Sequence, residues 1–334
     1  MIRRLSACLL IICMMPLLSG RAAGQTEGLV PVGQTVGLEI GMDGVYVVKF
    51  ESEDGTAPAE AAGLKVGDRI LSVDGEPVQE AETLRLRVAA SRGEQMRFLV
   101  GRGEKTMSFS VQPEAEAGSW RIGVYVRDRI RGLGTVTFYD PDTGVFGALG
   151  HGVGDGGPGQ PLGMGLATET EIVSVRMGRV GTPGALQGSC QAGRCLGLVE
   201  ENTPQGIFGR TEAPVWAGQR LPVATQEQVC TGPAEIWCNV EGGEVRRYQA
   251  EIEGLSFGSE PCKNLRIRVT DPELLEKTGG IVQGMSGSPI IQNGRLVGAV
   301  THVLIRDPAR GYGILLENML EASELWQQAL PEAA

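Results

Sequence analysis

The stretch GGIVQGMSGSPIIQNGRLVGAVTHVLI, Gly279 to Ile305, decides how this chain is read. Ile290 and Ile291 lead into Asn293-Gly294, a pair that accepts the positive φ values of a tight two-residue turn. Leu296 to Ile305 then reads as the return strand of a hairpin. Ahead of the hairpin stands Gly284-Met285-Ser286-Gly287-Ser288-Pro289. Its small residues let the backbone turn sharply and let a carbonyl group approach Ser286. The amides of Ser286 and of Gly284, two residues earlier, can then aim at a developing oxyanion, a stabilisation that often outweighs every other contribution to such catalysis. The competing reading is an ordinary Gly-Ser loop that opens a hairpin.

A serine nucleophile needs a base, and histidine is the usual one. The chain holds only 2 histidines, His151 and His302. His151 lies in GALGHGVG at the end of an expected strand, where small neighbours let it face a cleft; a surface or core histidine is the alternative. His302 shares a strand face with Val300 and Leu304 just after the nucleophile. It is read either as part of a specificity pocket or as a polar residue on a sheet face. Ser288 is the rival nucleophile, constrained by Pro289 directly after it. Because Ser288 stands where the Gly-x-Ser-x-Gly elbow needs glycine, that arrangement is not matched. Lys277 offers a Ser–Lys dyad, but its segment is polar and a lysine base must be desolvated.

The 334 residues leave room for two ordinary domains. With 50 glycines, 42% apolar residues and 5% aromatics, the composition points to a β-rich fold with many tight turns. A net charge of −10 argues against a nucleic-acid partner. Residues 1–23 combine two arginines, an apolar run from Leu5 to Leu18 and small residues after it, the layout of an export signal or a retained anchor. The run is short of the about 20 apolar residues that span a bilayer comfortably. Beyond Cys8 and Cys13 there remain Cys190, Cys195, Cys230, Cys238 and Cys262, which cannot all pair within one chain. One or two disulfides are expected outside the cytoplasm, with Cys190–Cys195 closing the tightest loop. Irregular spacing and scarce histidine weigh against a metal site, and no cofactor is expected.

A first unit is expected over Thr35 to Pro113. In APAEAAGLKVGDRILSVDGEPV, Ala57 to Val78, a short helix ends at Gly63, Leu71 and Val73 share a strand face, and Asp74-Gly75 makes a turn. An amphipathic helix over Glu80–Ala90 and a hairpin over Met96–Val111 follow. This pattern resembles a PDZ domain. The resemblance implies a peptide groove that receives a chain end or segment by β-augmentation. Its matching residues are Gly37, Leu38, Glu39 and Ile40 on the strand side and Leu84 and Val88 on the helix. An acidic linker, Pro113 to Trp120, leads to a second unit, residues 121–330, of short strands with one terminal helix over Leu315–Ala329.

Gly-x-Ser-Gly-x-Pro ahead of a hairpin, far downstream of a strand-end histidine, looks like a chymotrypsin-type double barrel. TFYDPDTGVFGALGHGV, TDPELLEKTGGIVQGMSGSPIIQNG and GAVTHVLIRDPARGYGI resemble the stage IV sporulation protein B family of serine peptidases. The fold implied is mostly β: an N-terminal PDZ domain, then a chymotrypsin-like double β-barrel with a C-terminal helix. The resemblance implies that His151 is base and Ser286 nucleophile, with Asp271 also required. Asp271 could orient His151 or cap the segment DPELLEKTGG. Asp155, Asp140 and Asp142 are other candidates to orient the base. The resemblance further implies an exported peptidase, acting between forespore and mother-cell membranes on a membrane-anchored regulator that leads to a late sigma factor, and processing itself. A noncatalytic PDZ adaptor on a barrel scaffold is the rival. A quality-control protease is a weaker one, since those place the PDZ domain after the protease.

Overall fold

Two strands of 16 residues, β1 (Thr35–Phe50) and β5 (Val124–Tyr139), run through both units of the protein. The computed structural model describes residues 28–52, 55–154, 161–258 and 260–329. The expected export signal, Cys8, Cys13 and Asp155 lie outside the described residues. Between β1 and β5 the chain makes α1 (Pro58–Ala61), β2 (Arg69–Val73), α2 (Ala81–Ala90), β3 (Met96–Arg102) and β4 (Lys105–Val111). This inserted unit has its own core, in which Leu84 and Val88, one turn apart on α2, pack with Val45, Ile70, Phe98 and Val100. The PDZ-type unit is thus set into the first hairpin of a barrel and is not strung ahead of it.

The barrel continues with β6 (Val145–Ala148), β7 (Pro161–Arg176), β8 (Ala185–Thr203) and β9 (Gly206–Arg210). Pairing runs β1–β5–β6–β9–β8–β7 and returns to β1, so no edge is left along this stretch. Burial along β5 follows: residues alternate from Val124 to Arg131, then Gly134 to Tyr139 are buried without a break. A second closed barrel is built from β10 (Gly232–Cys238), β11 (Arg246–Leu255), β12 (Leu265–Val269), β13 (Pro289–Gln292), β14 (Arg295–Leu304) and β15 (Asp307–Leu315). The β13–β14 turn carries Asn293 at φ 53° and Gly294 at φ 72°, the backbone that this dipeptide favours. The mostly β, two-barrel fold and its PDZ-type unit agree with expectation. The terminal helix divides into α4 (Leu316–Glu321) and α5 (Glu324–Ala329), because Ser323 accepts from the Trp326 amide and starts a new helix.

Two expectations need correction. Gly37, Leu38, Glu39 and Ile40 do not border the PDZ groove; they pair with Leu133–Ile130 of β5 on one side and Thr168–Gly165 of β7 on the other. Leu38 and Ile40 lie in the first barrel's core, and Glu39 is held by Arg129 and Arg131 at 2.6 and 2.7 Å. An edge strand and a barrel strand carry the same local pattern, so the sequence alone could not separate them. Beside α2 lies instead the first part of β5, Val124–Asp128, which pairs only with β1 among the described residues. Asp128 accepts the Ala81 amide at 2.9 Å and fixes α2 against that strand. Cys195, Cys230, Cys238 and Cys262 are free thiols, so the expected Cys190–Cys195 disulfide is corrected: Cys195 is not bridged.

Candidate active site

Glycines bring the two barrels into contact at the site. β6 ends at Ala148, and Leu149 and Gly150 turn with φ 68° and 69°, presenting His151. A Cβ on Gly150 would stand 2.8 Å from Ile314 and 2.9 Å from Thr301, both in the second barrel. In the reverse direction, a Cβ on Gly287 would stand 1.9 Å from the Thr135 carbonyl in the first barrel. The nucleophile loop is therefore pressed into one barrel and the histidine turn against the other.

Thr135 and Thr137, on one face of β5 and fully buried, secure that loop at both ends. Thr135 Oγ1 donates to the Gly284 carbonyl at 2.7 Å, and its N–H donates to the Ser286 carbonyl at 2.8 Å. Thr137 Oγ1 donates to the Gly287 carbonyl at 2.8 Å. With these carbonyls held, the Gly284 and Ser286 N–H groups make no backbone–backbone hydrogen bond among the described residues. Both residues line a cleft of about 1010 Å³ together with His151 and His302. Gly284 sits at φ 99°, a backbone that a side chain would strain.

His151 Nδ1 lies 2.8 Å from the Gly152 carbonyl. A carbonyl only accepts, so Nδ1 carries a proton; in the neutral ring this leaves the lone pair on Nε2, the form a general base needs. Gly152 is fixed by its own N–H on the Pro204 carbonyl at 3.2 Å, and Asn202 makes two 2.9 Å bonds to the main chain of Val153. The Ser286 hydroxyl donates to the Thr301 carbonyl at 2.8 Å, so Ser286 shares a cleft with His151 while its proton is engaged by a main-chain oxygen. Transfer of the proton to His151 requires the bond to Thr301 to be given up, and catalytic hydrogen bonds often form or tighten only around substrate.

The SpoIVB peptidase S55 profile matches residues 118–320, and a PDZ-domain profile matches residues 55–102. The chain belongs to the SpoIVB peptidase S55 family. It is 35% identical over 104 residues to a protein of Lactococcus lactis subsp. lactis described as a zinc metalloprotease. It is 36% identical over 101 residues to a Nostoc protein described in the same way. Each match covers 29% of this chain, which spans only about a quarter of those relatives (24% and 26%). Among solved structures, the PDZ domain of an SdrC-like protein from Listeria monocytogenes is 24% identical, with TM-score 0.23; the match covers 25% of this chain and 87% of that one. An inactive serine-to-alanine mutant of a Mycobacterium tuberculosis protein is 15% identical, with TM-score 0.33, covering 61% of this chain and 85% of that one. At these scores neither overlay bears on the site.

The chain thus joins a PDZ-type unit to an S55 peptidase region, and the residues expected to act there are placed as follows. His151, Ser286 and Gly284 line one cleft, the set of groups that attack by a serine hydroxyl, with a histidine base and amides at the oxyanion, would call on. Asp271 is placed elsewhere. It caps α3 (Pro272–Thr278): its carboxylate accepts from the amides of Glu273 and Leu274 at 3.0 and 3.2 Å and of Gln249 at 3.1 Å. It does not line the cleft, and the partner at His151 Nδ1 is a main-chain carbonyl.

The alternatives separate as clearly. Ser288 is fully buried and donates to the Met285 carbonyl at 2.7 Å, a structural hydroxyl. Lys277 is held by Glu241 and Glu273 at 2.6 and 3.1 Å; the hydrogen bond it donates to Glu241 leads in raising its pKa, the wrong direction for a base. Asp140 accepts from Thr143, and Asp142 pairs with Arg220, so neither reaches His151. Thr135, Thr137, Asn202, Thr301 and the Gly152 carbonyl went unread in the sequence. The one available signal was Thr-Val-Thr, two threonines on one face of an otherwise apolar strand.

Proposed function

We propose that this S55 peptidase makes selective regulatory cuts in a membrane-anchored sporulation regulator outside the cytoplasm, and also processes its own N-terminal region. The supporting observation is the nucleophile loop: Ser286 and two amides without main-chain partners among the described residues share one cleft with His151, whose Nδ1 is bound to a carbonyl. A noncatalytic adaptor would have no use for that arrangement. The family resemblance supports the sporulation setting, with the enzyme exported into the space between forespore and mother-cell membranes. There the cut leads to activation of a late sigma factor. The PDZ-type unit takes a peptide or chain segment, and His302, whose ring centroid lies 5.3 Å from that of His151, contributes to the specificity pocket.

The test pairs the full chain with its Ser286→Ala variant in an endospore-forming host. Products are read by mass spectrometry alongside late sigma-factor activity. Self-cleavage and a cut in a membrane-anchored regulator, both lost in the variant with late gene expression, are expected. Identical products and normal late expression in the variant would overturn the proposal.

A further inference from the structure

The cleft around Ser286 is notable for what its wall lacks. Apart from the two imidazoles, no lining residue among the described ones carries an ionisable acid or base of the Asp, Glu, Lys or Arg type. Leu133, Ile281, Val282, Val303 and Ile305 are among the aliphatic residues that line it. Cys262, also on the wall, is kept in its neutral thiol form because burial pushes its pKa up. The nearest cations along β5, Arg129 and Arg131, flank the cleft-lining Ile130 but are held by Glu39.

The apolar character continues beyond the cleft. Ile305 lines it and is 53% exposed; the tight turn Arg179–Thr182 joins it there through the Gly181 N–H on the Ile305 carbonyl at 2.8 Å. Val180, at that turn's tip, is 76% exposed, and Pro183 behind it lines the cleft. Val180 and Ile305 thus form an exposed aliphatic lip, with the exposed Arg179 and Arg306 next to them in sequence, and exposed apolar surface running into a cleft is what a partner site presents. Thr301 offers a carbonyl at the nucleophile, already used as an acceptor by Ser286. An extended chain lying along Thr301–Val303 would bring an N–H to that oxygen and release the Ser286 hydroxyl toward His151.

We propose that the cleft and its Val180–Ile305 lip take an extended apolar segment, with aliphatic side chains on the acyl side of the scissile bond, and reject Arg, Lys, Asp and Glu there. This rests on the peptidase reading of the same cleft and specifies its substrate class. The physical ground is that an unpaired charge taken out of water finds no partner on this wall, whereas an aliphatic side chain gains contact on several sides.

Two measurements test it. Cleavage of a peptide library by the full chain, mapped by mass spectrometry, is expected to favour aliphatic over charged acyl-side residues by at least about tenfold, since 1.4 kcal/mol is a factor of ten. Binding of uncut fluorescent peptides to Ser286→Ala is expected to show the same order. Ile305→Glu, a substitution at an exposed position, should weaken cleavage and binding of the aliphatic peptides about tenfold and improve those of a lysine-bearing one. Ser286-dependent cleavage after charged residues as fast as after aliphatic ones would overturn the apolar class and leave the peptidase reading intact. Aliphatic-selective binding by Ser286→Ala without cleavage by the wild type would support the apolar class and count against the peptidase reading. Absence of any aliphatic preference in both measurements overturns the proposal.

Discussion

Thr135 in the first barrel holds Gly284 in the second: its hydroxyl donates to the Gly284 carbonyl at 2.7 Å, with both groups buried. Its N–H takes the Ser286 carbonyl in the same step along the loop. The amides that face the cleft are thus aimed by a strand of the opposite barrel. That same strand begins beside α2 of the PDZ-type unit.

Thr135→Val keeps the shape and removes the hydroxyl, leaving a buried carbonyl unpaired at a cost of about 1–3 kcal/mol. The loop then loses the tie that turns its amides outward. A fall in kcat of roughly tenfold or more, with KM little changed and a cooperative melt retained, is expected from steady-state kinetics and calorimetry. Unchanged kcat would show that the loop is held without Thr135.

Asp271→Asn and Asp271→Ala distinguish a helix cap from a catalytic carboxylate. Asparagine keeps the cap on the Glu273 and Leu274 amides and gives up only the bond from the Gln249 amide, whereas alanine loses the cap at a cost of about 1 kcal/mol. Near wild-type activity and an unaltered pH–rate profile are expected for Asn, with a lowered melting temperature for Ala. A loss of about 10⁴ in kcat for Asn, the scale of a triad aspartate, would return Asp271 to the reaction.

Gly287→Ala places a methyl group 1.9 Å from the Thr135 carbonyl and 2.5 Å from the Leu149 amide, at φ 95°. Both atoms are main chain and cannot swing aside. Destabilisation of about 2 kcal/mol or more and loss of activity are expected. Gly294→Ala is the control: at φ 72° with nothing within 4 Å, it should cost only about 1 kcal/mol and leave activity intact. Comparable melting temperatures for the two variants would contradict this account of the barrel contact.

Glu253 joins β11 to β12 and β15 through Arg268 and Arg310. The hydrogen bond from Arg310, foremost among the causes, holds its carboxyl below the ordinary range. A carboxyl with a depressed folded-state pKa stabilises the fold above its unfolded value and loses that contribution as pH falls through the folded one. Glu253→Gln should therefore lower Tm by about 2–4 °C at neutral pH, for a contribution of about 1 kcal/mol. The gap should close as the medium is acidified below the usual carboxylate range. A gap that stays constant with pH would locate the effect in packing.

What the chain's order of residues determined was local. Gly-Met-Ser-Gly-Ser-Pro, the Asn293-Gly294 turn, the strand-end His151 and the Asp271-Pro272 helix start are each set by neighbours a few residues apart, where backbone sterics and capping act. Tertiary structure alone decided who meets whom. Period-two alternation says which face a strand residue takes but not which strand lies beside it, so Gly37–Ile40 looked like a groove edge until barrel closure paired it on both sides. The partner of His151 Nδ1, the capping duty of Asp271 and the Thr135–Gly284 bond depend on segments brought together by that closure, and no short-range pattern encodes such contacts.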